Sequence, residues 1–222
     1  MSREAIILLI GGIIFFIMTF IELTFCFIEN EKLRKIFKIF PVLILSLTFL
    51  IAFPNYPLVY VGSLLGVVGD LILIFEKKQV FFYIGAVSFF IGHVFYLIST
   101  IILSGIEYSW YHYLLIVIGY LLLLVVIIVG FRKDFKLIER ILVSFYFGIM
   151  IFSLINSFVT GIKYGEYNLF LISLGYLCFL ISDSLLVKKV FKGEYKRDDF
   201  YIMSTYVAAE FFIVLAFVLF VY

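Results

Sequence analysis

"AIILLIGGIIFFIMTFIELTFCF", Ala5 to Phe27, runs 23 residues with a single charge, Glu22. A helix needs about 20 apolar residues to cross the hydrocarbon of a bilayer, because each residue advances it only about 1.5 Å. The run is too long for the apolar core of a signal peptide and has no small-x-small cleavage pattern, so it reads as a retained first transmembrane helix. The rest of the chain repeats its character. Hydrophobic residues make up 65% of the 222, aromatics 21% and charged residues 14%, with a mean hydropathy of +1.23. Soluble domains are about half apolar and a quarter charged, so the chain is expected to lie within a membrane.

Seven further segments qualify, near residues 36–53, 57–75, 80–103, 110–131, 139–160, 167–187 and 199–221. Turn and charge signals divide them: "FPNYP" at 53–57, "EKKQ" at 76–79, "FRKDFK" at 131–136 and "KKVFKGEYKRDD" at 188–199. Nothing remains for a soluble domain. The expectation is one all-α integral membrane domain over residues 1–222, with eight transmembrane helices.

Basic residues orient it. Fifteen of the 17 Lys and Arg fall around the loops after the first, third, fifth and seventh segments, leaving Arg3 and Lys163 on the other side. The positive-inside rule then puts those loops in the cytoplasm and both termini outside, as for a multi-pass protein of a bacterial cytoplasmic membrane. A net charge of +2, with no basic tail and no glycine-rich phosphate loop, gives no reason to expect a nucleic-acid partner. Cys26 and Cys178 lie in apolar segments and read as buried thiols.

A charge at bilayer depth is costly and calls for a partner or a task. Glu22, Asp70, His93, Asp183 and Glu210 are the candidates. Asp70 precedes Glu76 by six residues and Asp183 precedes Lys188 by five. Both acids are therefore expected about 7 to 9 Å from the cytoplasmic ends of their helices. Glu22 comes out at a similar depth, His93 and Glu210 nearer the midplane, and together they describe a polar cavity opening toward the cytoplasm. Plainer readings stand beside this one. Glu22 can snorkel to the interface, His93 can hydrogen-bond a neighbouring helix, and Tyr206, one turn before Glu210, can lock that carboxyl. Gly62, Gly66 and Gly69 read as a close-packing face that could also bring Asp70 toward a partner helix. Asp70 in "GVVGDLIL" and Asp183 in "CFLISDSLL" match in their surroundings, either through a four-plus-four repeat or by chance.

Two acids at one depth suggest acid–base work, since one can hold a proton while the other supplies negative charge. No serine sits in a nucleophile-elbow setting, a zinc site is short of ligands, and no metal or cofactor is expected.

Four stretches in order carry a resemblance: "SLLGVVGDLIL" at 63–73, "FYIGAVSFFIGHVFYLIS" at 82–99, "LGYLCFLISDSLL" at 174–186 and "STYVAAEFFIV" at 204–214, with "KIFP" at 38–41 as a weaker fifth. Together they resemble the YhhN family of membrane proteins, whose characterised members are lysoplasmalogenases with eight helices. The resemblance implies hydrolysis of the vinyl ether of a lysoplasmalogen, without a metal, to a fatty aldehyde and a glycerophospho-alcohol. Its two acidic positions fall on Asp70 and Asp183. His93, Tyr96, Tyr206, Glu210 and Glu22 are the expected substrate-binding residues, and Lys38, or else Lys77 or Lys188, would hold the headgroup phosphate. Two other readings use the same cavity: a lipid transporter or binding protein without chemistry, and an intramembrane aspartyl protease. Against the protease, "GVVGD" departs by one residue from Gly-x-Gly-Asp, no Tyr precedes Asp183, and no Pro-Ala-Leu occurs.

Overall fold

The computed structural model describes residues 2–75, 79–105, 110–130 and 137–222, and every regular element among them is an α-helix. In chain order these are α1 (Arg3–Phe27), α2 (Glu31–Phe37), α3 (Phe40–Ala52), α4 (Pro57–Leu73), α5 (Gln79–Ser104), α6 (Trp110–Gly130), α7 (Leu137–Tyr164), α8 (Tyr167–Lys192) and α9 (Asp198–Val221). Six stretches are long and apolar enough to cross a membrane, with α2 and α3 counted as one, and α4 is a shorter apolar helix. Each expected segment corresponds to a helix. The second differs: it begins earlier, at Glu31, and is broken at Lys38–Ile39. Pro41 causes the break, because it has no N–H to donate and its ring collides with the carbonyl four residues back, that of Phe37. Asn30 starts the piece before it, its side chain accepting from the Leu33 N–H at 3.2 Å.

Helix α9 is the axis of the bundle. It packs along α8 and also touches α1, α3, α4 and α5, while α4 lies against α5 and α7 against α8. Phe147, Ile151, Ile172, Ala209, Ile213 and Phe217 are fully enclosed where these helices meet. Outward faces are equally apolar: Leu9, Ile13, Phe16, Ile17 and Phe20 of α1 are all exposed. In water such a surface would be unfavourable, and against lipid tails it is not.

The glycine face of α4 packs on α5. A Cβ at Gly62 would meet the Tyr96 ring at 3.1 Å and one at Gly69 the Phe89 ring at 2.5 Å, while one at Gly92 of α5 would meet the Gly62 carbonyl at 2.9 Å. The partner helix of this close-packing face is α5, and the glycines seat its aromatic rings.

Both termini share one end of the bundle, where the Ser2 and Tyr222 hydroxyls lie 3.2 Å apart. The α1–α2 and α8–α9 turns share the other. Arg197, in the left-handed region at φ 57°, donates its N–H to Glu29 at 3.0 Å, and its guanidinium covers the Phe27 ring. Asp199 joins Arg34 at 2.9 Å and Lys189 at 2.7 Å.

Candidate active site

The break between α2 and α3 turns Lys38 inward. Its ammonium stands 3.6 Å from Asp70 Oδ1, with both side chains buried. A buried carboxylate needs such a partner, because desolvation without one costs several kcal/mol. Asp70 Oδ2 makes no hydrogen bond. Tyr206 and Glu22 both lie close enough to feel the Asp70 charge. Glu22 is 0% exposed and neither of its oxygens is hydrogen-bonded, so it is enclosed in the bundle and does not snorkel.

Glu210 sits one turn further along α9 from Tyr206, but its partner is not that tyrosine. Tyr96 of α5 donates to Oε2 at 2.6 Å, and Ser63 of α4 reaches the same oxygen at 3.4 Å while bonding Ser46 of α3 at 2.6 Å. The Tyr206 hydroxyl, freed from the expected bond, has no hydrogen-bond partner. Gly66 makes room for both groups: a Cβ there would stand 3.1 Å from Glu210 Oε1 and 3.2 Å from the Tyr206 hydroxyl. Four helices therefore meet in one polar cluster.

Asp183 belongs to a second, adjacent part of the site. Tyr146 of α7 donates to its Oδ2 at 2.5 Å. The carboxyl forms part of the wall of a cavity of about 320 Å³ whose other lining is aromatic and aliphatic, including Leu73, Phe82, Phe89, Phe147 and Val187. No cation pairs with it among the described residues, whereas Asp70 lies near enough for its charge to act on both Asp183 and Tyr146. Phe89 connects the two parts, lining the cavity and meeting Tyr206 edge to face at 5.8 Å.

His93 sits in an aromatic cage of Phe179, Tyr176 and Tyr146, with centroids at 4.7, 5.7 and 5.9 Å. It is 2% exposed and neither ring nitrogen has a partner, so it does not bridge to a neighbouring helix as the plainer reading expects. Lys188 lies over the Tyr195 ring at 4.6 Å, away from the acids, and Lys77 lies outside the described residues.

The structure thus gathers Lys38, Asp70, Tyr206, Glu22, Glu210 and Tyr96 around one buried cluster, with Asp183 and His93 beside it. Tyr146, Ser63 and Phe89 are the participants that the sequence did not single out. Tyr146 is one of 16 tyrosines, and nothing local distinguishes it. No group of three or more His, Cys, Asp or Glu side chains arranged to hold a metal ion occurs among the described residues.

A model of the YhhN family matches residues 33–217, from α2 almost to the end of α9. No curated protein and no solved structure matches the chain. The matched region contains Lys38, both aspartates, His93, Tyr96, Tyr206 and Glu210, and leaves out Glu22. With over four fifths of its length matched, the chain belongs to the YhhN family.

Proposed function

We propose that the protein is a lysoplasmalogenase-like hydrolase that cleaves the vinyl ether of a single-chain lipid by acid–base chemistry between Asp183 and Asp70. The carrying observation is the setting of Asp183: an acid on the wall of an otherwise apolar cavity, with a cation-paired acid nearby. A vinyl ether is cleaved by delivering a proton to its β-carbon, which leaves an oxocarbenium ion that water captures at the adjacent carbon. The resulting hemiacetal collapses to a fatty aldehyde and a glycerophospho-alcohol.

The two environments support a division of labour. Lys38 favours the ionised form of Asp70, which suits it to stabilise the cation and to take the proton that water loses. Asp183, which has no cation partner among the described residues and an apolar surround, is suited to carry the proton. Tyr146 occupies Oδ2 and leaves Oδ1 to deliver it. After one turnover Asp70 holds the proton and Asp183 lacks it. Tyr206, whose hydroxyl lies near Asp70, and the enclosed His93, whose ring meets the Tyr146 that bonds Asp183, are the groups suited to return it.

Purified protein in a neutral detergent should release aldehyde from a vinyl-ether lysolipid and none from the saturated alkyl-ether analogue. Asp70→Asn and Asp183→Asn should each lower the rate by about 10²-fold or more, measured per folded molecule at a temperature where both variants remain folded. No aldehyde from the wild type, or full activity in either variant, would sink the reading. Flux of the lipid into proteoliposomes without product would favour a transporter instead.

A further inference from the structure

The wall of the apolar cavity is not closed all round. Leu73, Phe82, Phe147 and Val187 line its inner side and are buried. Val87, Leu142 and Phe145 line it as well, yet they are 58%, 51% and 67% exposed. Val87 belongs to α5, and Leu142 and Phe145 belong to α7. A lining residue that is also more than half exposed stands at a mouth, so the cavity opens between these two helices. The packing leaves room there, because α5 lies chiefly against α4 and α7 chiefly against α8 and α6.

Depth decides what the mouth faces. Val87 is eight residues from Gln79, where α5 begins, and Phe145 is eight residues from Leu137, where α7 begins. Both therefore stand about 12 Å along their helices from the side of the bundle that carries the α1–α2 and α8–α9 turns. In a bilayer whose hydrocarbon is about 30 Å thick, that depth lies among lipid tails. The neighbouring exposed side chains on α5, Val80, Ile84 and Ile91, are apolar to match. A second, polar cavity of about 390 Å³ lies at the same side, lined by charged side chains such as Arg34, Lys189 and Asp199, and it shares no lining residue with the first. A hydrocarbon chain drawn past that charged lining through water would lose about 0.8 kcal/mol for each methylene exposed. One that slides in between α5 and α7 exchanges an apolar surround for another, since Asp183 is the one charged side chain among the described residues of the lining.

We propose that a membrane lipid enters the apolar cavity sideways, through a portal between α5 and α7 framed by Val87, Leu142 and Phe145, with its hydrocarbon chain threaded through the portal and the far end of that chain still in the bilayer. The end of the chain that carries the scissile bond reaches Asp183, and the fatty aldehyde returns to the bilayer by the same opening. The three framing residues govern passage of the chain and take no part in the chemistry. The proposal deepens the hydrolase reading and rests on it for the reaction, not for the entry of the chain.

The test follows entry without turnover. A saturated alkyl-ether lysophosphatidylcholine with a diazirine near the glycerol end of its chain is mixed into phosphatidylcholine proteoliposomes of the full chain and flashed at increasing times. Mass spectrometry should find the label on peptides holding Leu73, Phe147 or Val187. The double variant Val87→Trp/Leu142→Trp should slow this labelling about tenfold, while Ile13→Trp, on the exposed face of α1, should leave it within about twofold of the wild type. Phe145→Ala removes a ring from the frame and should speed labelling about threefold. Labelling at the wild-type rate in the double variant, or no gain in Phe145→Ala, would overturn the portal. So would slowing by Ile74→Trp, on the wall of the charged cavity, in place of the double variant. Labelling that behaves as expected, without aldehyde from a vinyl-ether lysolipid, defeats the hydrolase reading alone. Aldehyde release with wild-type labelling in the double variant defeats this proposal alone.

Discussion

Three carboxyl groups, of Glu22, Asp70 and Glu210, gather around one buried region with the ammonium of Lys38 against Asp70. Each is held differently: Asp70 by the ion pair, Glu210 by the Tyr96 hydroxyl, and Glu22 by no hydrogen bond. Removing Lys38 leaves Asp70 buried with no cation at contact distance among the described residues. Lys38→Met is therefore expected to lower stability by about 3–5 kcal/mol, read as a fall in the denaturant midpoint in detergent. Tyr96→Phe removes a single donor from a buried acceptor, and about 1–3 kcal/mol should be lost by the same measurement. Asp70, Asp183 and Glu210 were legible in the sequence, because a charge in an apolar run is conspicuous and costly. Their partners were not. Tyr96 in place of Tyr206 as the donor to Glu210, and Tyr146 beside Asp183, depend on how α5 and α7 are rotated, and local spacing does not contain that information.

Among the elements, the α4–α5 contact decides whether the cluster forms, because Ser63, Gly66 and Asp70 come from one helix and Tyr96 and Phe89 from the other. A methyl at Gly92 would press on the Gly62 carbonyl at 2.9 Å, and backbone cannot swing aside as a side chain can. Gly92→Ala should lower the thermal midpoint, at a cost of about 1–3 kcal/mol. Gly12→Ala in α1, where nothing lies within 4 Å, should leave it unchanged. Helix positions were readable from apolar runs and turn residues, and the stripe of Gly62, Gly66 and Gly69 from its spacing. The identity of its partner was not, since α5 and α8 both carry glycines. Nor was the break after α2 expected, although Pro41 marks its place: a proline is tolerated in the first turn of a helix as readily as it interrupts one.

For the whole molecule, apolar outer faces enclose a narrow polar interior that adjoins two cavities of opposite character. The bias of basic residues leads to the expectation that the polar cavity opens to the cytoplasm. A cysteine placed at Lys192 should be labelled by an impermeant maleimide in inverted vesicles only, and one at Tyr222 in intact cells only; the reverse pattern would invert the topology. Composition made the membrane setting legible, because 65% hydrophobic residues cannot be buried within 222 residues of soluble fold. The charged cavity was not legible, since it assembles residues 29–35 with residues 189–199 across most of the chain. The central claim, that an acid of this site protonates the β-carbon of a vinyl ether, has a direct isotopic signature. The reaction is run in D₂O and the aldehyde is trapped at once by borohydride reduction. Any route to the aldehyde places one deuterium on the carbon next to the former carbonyl, so the face it takes decides, read by NMR of a chiral ester of the resulting alcohol. Deuterium is expected on one face only, with product formation lost in Asp183→Asn. Deuterium spread equally over both faces would mean that the C–O bond breaks first and a released enol takes its proton from solvent, and the account given for Asp183 and Asp70 would be wrong.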